Sequence, residues 1–214
     1  TAGVSAIPGN LTIGDGSGTD VVQLNAANQI ADSAAVTISA GGSLNLNGNA
    51  ETVASVSSAS GSSQIALGAG TLTLGDANAA TFAGAISGTG NVVKQGSGTL
   101  TLSGANSFSG TATISAGAVN IQNATALGST GATTVSGGAA LEIQGGISVA
   151  SEPLTLNGTG ISSAGALRNI SGNNSWSGTT TLGSATTIQS DSGTLTLSGS
   201  VAGSGQNLTV GGAG

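Results

Sequence analysis

The sequence predicts an all-β fold, a parallel β-helix (β-solenoid) of about ten coils with no predicted caps, and three observations predict it. Apolar residues alternate strictly between glycines, as half-buried strands require. Leu72 and Leu74, Leu100 and Leu102, Leu154 and Leu156, and Leu195 and Leu197 all stand in the string LTL. Gly, Asn, Asp or Ser, the residues that turn a chain or tolerate positive φ, bound each such unit. Related strings then recur along the chain with a residue of slack, the pattern of stacked coils whose corners vary while their walls keep register. At about 20 residues per coil and about 4.8 Å between stacked strands, the expected rod is roughly 50 Å long.

The expected domain is a single continuous β-helix over 1–214, with repeat-like segments at 11–48, 82–129, 131–158 and 165–214. In the first, TISAGGSLNLNG (37–48) places Leu44 and Leu46 in an alternating strand. The second contains AGAISGTGNVVKQGSG (83–98), then Leu100 and Leu102, NSFSGT (106–111) and TISAGAVNIQN (113–123), the last with Ile114, Val119 and Ile121. In the third, TVSGGAALEIQG (134–145) supplies Leu141 and Ile143 and aligns with 113–123, so that Val135 falls one coil after Ile114. Within the fourth, NSWSGT (174–179) echoes 106–111, and SGSVAGSGQNLTVGGAG (198–214), with Leu208 and Val210, echoes 83–98. The predicted core is therefore Leu72, Leu74, Leu100, Leu102, Ile114, Val119, Ile121, Leu141, Ile143, Leu154, Leu156, Leu195, Leu197, Leu208 and Val210. The pattern starts and stops without a polar or helical cap, which suggests a fragment of a longer repeat protein or a unit that stacks end to end.

Composition removes most chemistry. The 214 residues include 39 Gly, 5% charged and 1% aromatic residues, with no His, Cys, Met or Tyr. Histidine bases, thiolate nucleophiles and zinc cages of Cys or His are excluded by inventory. Lys94 and Arg168 are the only cations and the net charge is −6, which argues against nucleic acid, whose phosphates need clustered Lys and Arg. Mean hydropathy is positive, against disorder. No run approaches the roughly 20 apolar residues of a membrane helix.

Five sets of residues are weighed for function. DGSGTDVV (15–22) is a single partial copy of a calcium-binding nonapeptide, making Asp15 and Asp20 the metal candidates, against an ordinary Asp/Gly corner. Glu142 and Glu152 are imaginable as the acid and base of a polysaccharide-acting enzyme, but Glu142 lies outward in its strand and Glu152 precedes Pro153 at a corner. Lys94 and Arg168 are expected as exposed heads on a wall, solvated or paired with an acid. The pairs Thr71/Thr73, Thr99/Thr101, Thr111/Thr113, Thr179/Thr181 and Thr194/Thr196 raise an ice- or crystal-surface-binding array. They are unevenly spaced, with Asn45, Asn120 and Glu142 at the outward position elsewhere. Phe82, Phe108 and Trp176 are expected in core or corner packing. No catalytic residue and no cofactor is expected.

The stretch FAGAISGTGNVVKQGSGTLTLSGANSFSGTATISAGAVNIQNATALGS (82–129) resembles the autotransporter-associated β-strand repeat, also called the passenger-associated transport repeat. The matching residues are Gly84, Ile86, Gly88, Gly90, Val92, Lys94, Gly96, Gly98, Leu100, Leu102, Gly104, Asn106, Phe108, Gly110, Ile114, Gly117 and Leu127. Segments 165–182 and 11–24 resemble those that accompany such repeats. The resemblance implies a right-handed β-helical passenger, exported across a bacterial outer membrane by a type V system and displayed or released outside. It implies no catalytic residue, and the terminal membrane barrel of such proteins is not among these residues. The expected role is a structural stalk for display, adhesion or filament formation, whose partners are its own coils or copies, a surface glycan or a cell surface, with no nucleic acid and no membrane insertion.

Overall fold

Strands of three or four residues are too short to be stable alone, so each must lie on the next. In the computed structural model, which describes residues 6–214, every strand pair is parallel and joins one coil to the next. The result is a parallel β-solenoid of about ten coils. Residues 1–5 of the expected β-helix lie outside the described residues.

Three walls run its length. The first is built from Glu51–Val53, Thr71–Leu74, Asn91–Lys94, Ala112–Ile114, Thr133–Val135, Leu154–Gly158, the beginning of Thr180–Ser190, and Val201–Ala202. The second contains Leu11–Ile13, Ala35–Ile38 and Ser55–Ser57, and continues past a bridge between Ser58 and Phe82. Above that bridge lie Ala80–Phe82, Thr99–Leu102, Ala118–Ile121, Ala140–Gln144, Leu167–Ser171, the end of Thr180–Ser190, and Leu208–Gly212. The third holds Asp20–Gln23, Gly42–Asn45, Gln64–Ala66 and Ala85–Ser87, and later Ser148–Val149, Asn174–Trp176 and Leu195–Leu197.

Alternation decides which side chains enter. TLTL at Thr71–Leu74 and at Thr99–Leu102 puts both leucines inside and leaves both threonines half-buried on the outer surface. The expected register between TISAG and TVSGG is realised, since Thr113 pairs with Thr134 and Ile114 with Val135. The following strands then pair Val119 with Leu141 and Ile121 with Ile143. Other echoes change walls. Thr37–Ile38 lies on the second wall, whereas its counterpart Thr113–Ile114 lies on the first. GTLTL occupies the first wall at 70–74, the second at 98–102 and the third at 193–197.

Corners set how closely coils approach. At one corner Gly70, Gly90, Gly110 and Gly131 stack, and a Cβ on Gly90 would fall 1.8 Å from the Gly70 carbonyl oxygen. One on Gly110 would fall 2.1 Å from the Gly90 oxygen, so only glycine lets these backbones meet. Coils there repeat every 20 residues, as between Asn91 and Thr111, and lengthen to 26 between Ser151 and Ser177. The longer coil accommodates an exposed turn at Ile161–Ser163.

The core contains the expected residues Leu72, Leu74, Leu100, Leu102, Ile114, Val119, Ile121, Leu141, Ile143, Leu154 and Leu156, all buried. Each such side chain is worth about 2 kcal/mol when fully covered. Leu195 and Leu197 are only partly buried, and Leu208 and Val210 are 40% and 74% exposed. The expectation of burial fails there because Leu208–Gly212 has a strand, Thr180–Ser190, on one side alone. Alternation aims a side chain inward, but a coil on each side is needed to enclose it.

Candidate functional site

The outward side of the first wall carries a file of threonines. Thr52 pairs with Thr73, Thr73 with Val93, Val93 with Thr113, Thr113 with Thr134, Thr134 with Thr155, and Thr155 with Thr181. Six threonines thus stand on consecutive coils with one valine among them, about 4.8 Å apart by the spacing of hydrogen-bonded strands. The expectation of uneven spacing holds for the Thr-x-Thr pairs, which fall on different walls, whereas the single outward threonines of the first wall form a regular file. Thr99/Thr101 lie on the second wall and Thr196 on the third, as do the supposed interruptions Asn120 and Glu142 on the second and Asn45 on the third. Removing them leaves a regular file that draws on two kinds of string, LTL at Thr73 and Thr155 and the aligned TISAG and TVSGG at Thr113 and Thr134. Beside it the outward positions are mixed: Asn91 follows Thr71, and its Oδ1 accepts from both the Thr111 N–H, at 2.8 Å, and the Thr111 hydroxyl.

The second wall gathers charge. Asn120, Glu142, Arg168 and Gln189 follow one another in register. Arg168 donates from Nε to Asp191 Oδ2 at 2.7 Å, and its Nη1 lies 3.6 Å from Glu142 Oε1. The Arg168 hydrogen bond is the first cause holding the Asp191 carboxyl below its usual range, with Gln189 helping. Arg168 is thus a paired head on a wall, as expected.

Lys94 is not. In NVVK, Asn91 and Val93 face out while Val92 and Lys94 face in, so the lysine lies in the core column between Leu74 and Ile114 and is 3% exposed. Its Nζ donates to the carbonyls of Gln95, Gly96 and Ala116 at 2.7, 2.9 and 3.3 Å. The stem fills the interior and the ammonium satisfies the corner. Burial lowers its pKa, with Asp76 opposing.

Two interior carboxyls also occupy the first wall and its corner. Glu51, 1% exposed, accepts the Gln29 N–H at 2.8 Å, with longer bonds from Ile30 and Thr52. Burial raises its pKa against those bonds. Glu152, expected as a simple corner residue, is 7% exposed and accepts the Thr133 hydroxyl at 2.6 Å. Burial pushes its pKa up to about 7. Glu152 therefore faces inward while Glu142 faces out on another wall, and the structure does not bring them together as an acid and base.

Sequence reasoning missed the work of two asparagines. Asn106 Oδ1 accepts the Ile86 N–H at 2.8 Å and its Nδ2 donates to the Ala126 carbonyl at 2.6 Å, so the side chain joins the coils on either side. Asn174, its counterpart in the second N-S-aromatic string, accepts the Ile147 N–H at 2.7 Å. Phe108 and Trp176, two residues on, are buried as expected, as is Phe82. The echo itself was the available signal, because an asparagine kept beside a buried ring points to a shared structural bond. Among the described residues, no buried side-chain polar atom lacks a partner.

Asp15 lies at the corner after the Leu11–Ile13 strand, and Asp20 opens the Asp20–Gln23 strand that follows it. Asp15 Oδ1 accepts both the N–H and the hydroxyl of Ser17, which lowers its pKa and makes it a turn residue. Among the described residues, no group of three or more acids or other ligating side chains is placed to hold a metal.

The family model of the passenger-associated transport repeat matches residues 65–89 and 92–121. No curated protein and no solved structure gives a match. The two matched segments contain successive GTLTL strings, Lys94, Asn106 with its bond to the Ile86 N–H, and two of the stacked glycines, Gly70 and Gly110, which are the features that make one coil receive the next. The chain is a parallel β-solenoid that carries the passenger-associated transport repeat, a repeat of autotransporter passenger regions, at residues 65–89 and 92–121.

Proposed function

We propose that this chain is a structural segment of an extracellular, autotransporter-type passenger, a stalk or scaffold whose contribution is length, stiffness and display. The observation that carries the reading is the unbroken register of inward apolar files, such as Leu100, Val119, Leu141, Leu167 and Ile188, through successive coils that belong to the repeat and continue beyond it. The test is to place the segment between a surface translocator and an epitope. Display of the epitope is expected with the native segment and lost when Leu100→Asp and Leu102→Asp together interrupt the stack. Equal display of both would refute the reading.

A second reading, adsorption to ice or another periodic neutral surface, is favoured by the threonine file of the first wall. The neighbouring positions are mixed, so it ranks below the stalk. Thermal hysteresis of the purified rod, compared with a Thr113→Lys, Thr134→Lys variant, tests it; no hysteresis at high concentration removes it.

A further inference from the structure

Between Gly70 and Gly199 the glycine file at the corner of the first wall is interrupted once. Thr133 pairs with Leu154 and Leu154 with Thr180, so Glu152 takes the place above Gly131 and below Gly178. A Cβ on Gly178 would fall 1.8 Å from the Glu152 carbonyl oxygen, and one on Gly199 would fall 2.2 Å from the Gly178 oxygen, so the tight stack resumes beyond the acid. The Glu152 carboxyl turns inward to the Thr133 hydroxyl of the coil below. The same boundary is irregular further round its circuit. On the second wall the register shifts between Ile143 and Gln144, and the upper coil bulges out in the exposed turn at Ile161–Ser163.

We propose that the boundary between the Thr133 and Leu154 coils is a proton-controlled seam, closed while Glu152 carries its proton and the first place where the rod opens when it does not. A carboxylate in that corner is a buried charge with a single hydroxyl partner, and it reaches water by parting the two coils. Nothing titratable faces it. Its neighbours are Thr133, Gly178 and Trp176, whose indole N–H donates to the Glu152 carbonyl at 3.0 Å. Glu142, Arg168 and Asp191 pair with one another on the second wall, whereas Lys94 and Glu51 lie two and four coils below Thr133. Burial therefore sets how tightly the proton is held, raising the group to about 7, and the Thr133 hydroxyl opposes it. In an open seam the carboxyl titrates near its ordinary value of about 4.3. Closure is thus favoured in full below about pH 4 and weakens up to about pH 7.

Native-state hydrogen exchange in dilute urea locates the opening. The Thr133 N–H donates across the seam to the Pro153 carbonyl at 2.9 Å, and the Val92 N–H, two coils lower, donates to the Thr111 carbonyl at 2.9 Å. Between pH 5 and pH 8 the protection factor of the Thr133 amide should fall roughly 50-fold. At pH 8 it should exchange with a shallow dependence on urea, the mark of a boundary opening alone, while Val92 keeps the steep dependence of unfolding. Glu152→Gln should make the protection of Thr133 independent of pH. Thr133→Val removes the hydroxyl that favours the charged carboxyl and should move the midpoint of the pH dependence upward. A merely structural bond would lower protection at every pH and leave that midpoint in place. Equal urea dependence of the two amides at pH 8, a pH effect that survives Glu152→Gln, or an unmoved midpoint in Thr133→Val would overturn the proposal.

Discussion

Glu152 Oε1 lies 2.6 Å from the Thr133 hydroxyl, with both residues buried between adjacent coils. Burial raises the carboxyl to about 7, above the ordinary value near 4.3 of an unfolded chain. The folded state therefore binds the proton more tightly than the unfolded state does. Stability is full below about pH 4 and declines as pH rises through the window up to about 7, where the loss levels off. Glu51, also raised, acts in the same direction. Urea unfolding at pH 5 and pH 8 should differ by about 2 kcal/mol in favour of pH 5, and Glu152→Gln should remove most of the difference. A pH-independent midpoint in the native protein would contradict the assignment.

Lys94 is required by the three carbonyls it bonds. Lys94→Ala leaves those oxygens without their donor and opens a gap beneath Leu74 and Ile114, and about 3 kcal/mol of destabilisation is expected. Arg168→Ala, on the outer surface, should cost about 1 kcal/mol or less. Chemical denaturation of the two variants tests the contrast.

Asn106 is a side-chain rung. Asn106→Ala orphans the Ile86 N–H and the Ala126 carbonyl, and about 3 kcal/mol should be lost. Asn106→Asp preserves the acceptor and removes the donor, so its cost should be distinct from that of alanine. Hydrogen exchange at the Ile86 amide reads the first bond directly, and should quicken in the alanine variant before the neighbouring amides do.

Alternation, turn residues and echoing strings made the parallel β-solenoid, its coil length and most of its interior legible. They did not show which wall a string occupies. Nothing in GTLTL distinguishes a first-wall strand from a second- or third-wall one, because all three present the same apolar interior and the same kind of outer surface. The threonine file was hidden for that reason: Thr73 and Thr155 stand in LTL strings like those of the second and third walls, and Thr113 and Thr134 in strings that echo the second-wall string of Thr37. Lys94 was misplaced by judging its charge ahead of its parity, although Val92 already implied an inward position two residues on. Leu208 and Val210 have the correct parity, but parity does not provide the neighbouring coil that would bury them.

The glycine corner predicts a position-specific cost. Gly110→Ala sets a methyl against the Gly90 carbonyl and should destabilise by about 3 kcal/mol or prevent folding. Gly137→Ala, where nothing lies within 4 Å, should change stability by less than about 0.5 kcal/mol. Comparable thermal midpoints for the two variants would show that the coils separate more easily than their backbones suggest.

From Gly70 to Gly98 the matched repeat advances by one coil and one wall, so that its GTLTL string passes from the first wall to the second. A gene that gained or lost one such unit would lengthen or shorten the rod by about 6 Å. It would also swing whatever the rod carries at its tip through about a third of a revolution, so that repeat number sets the direction in which a cargo points as well as its height above the surface.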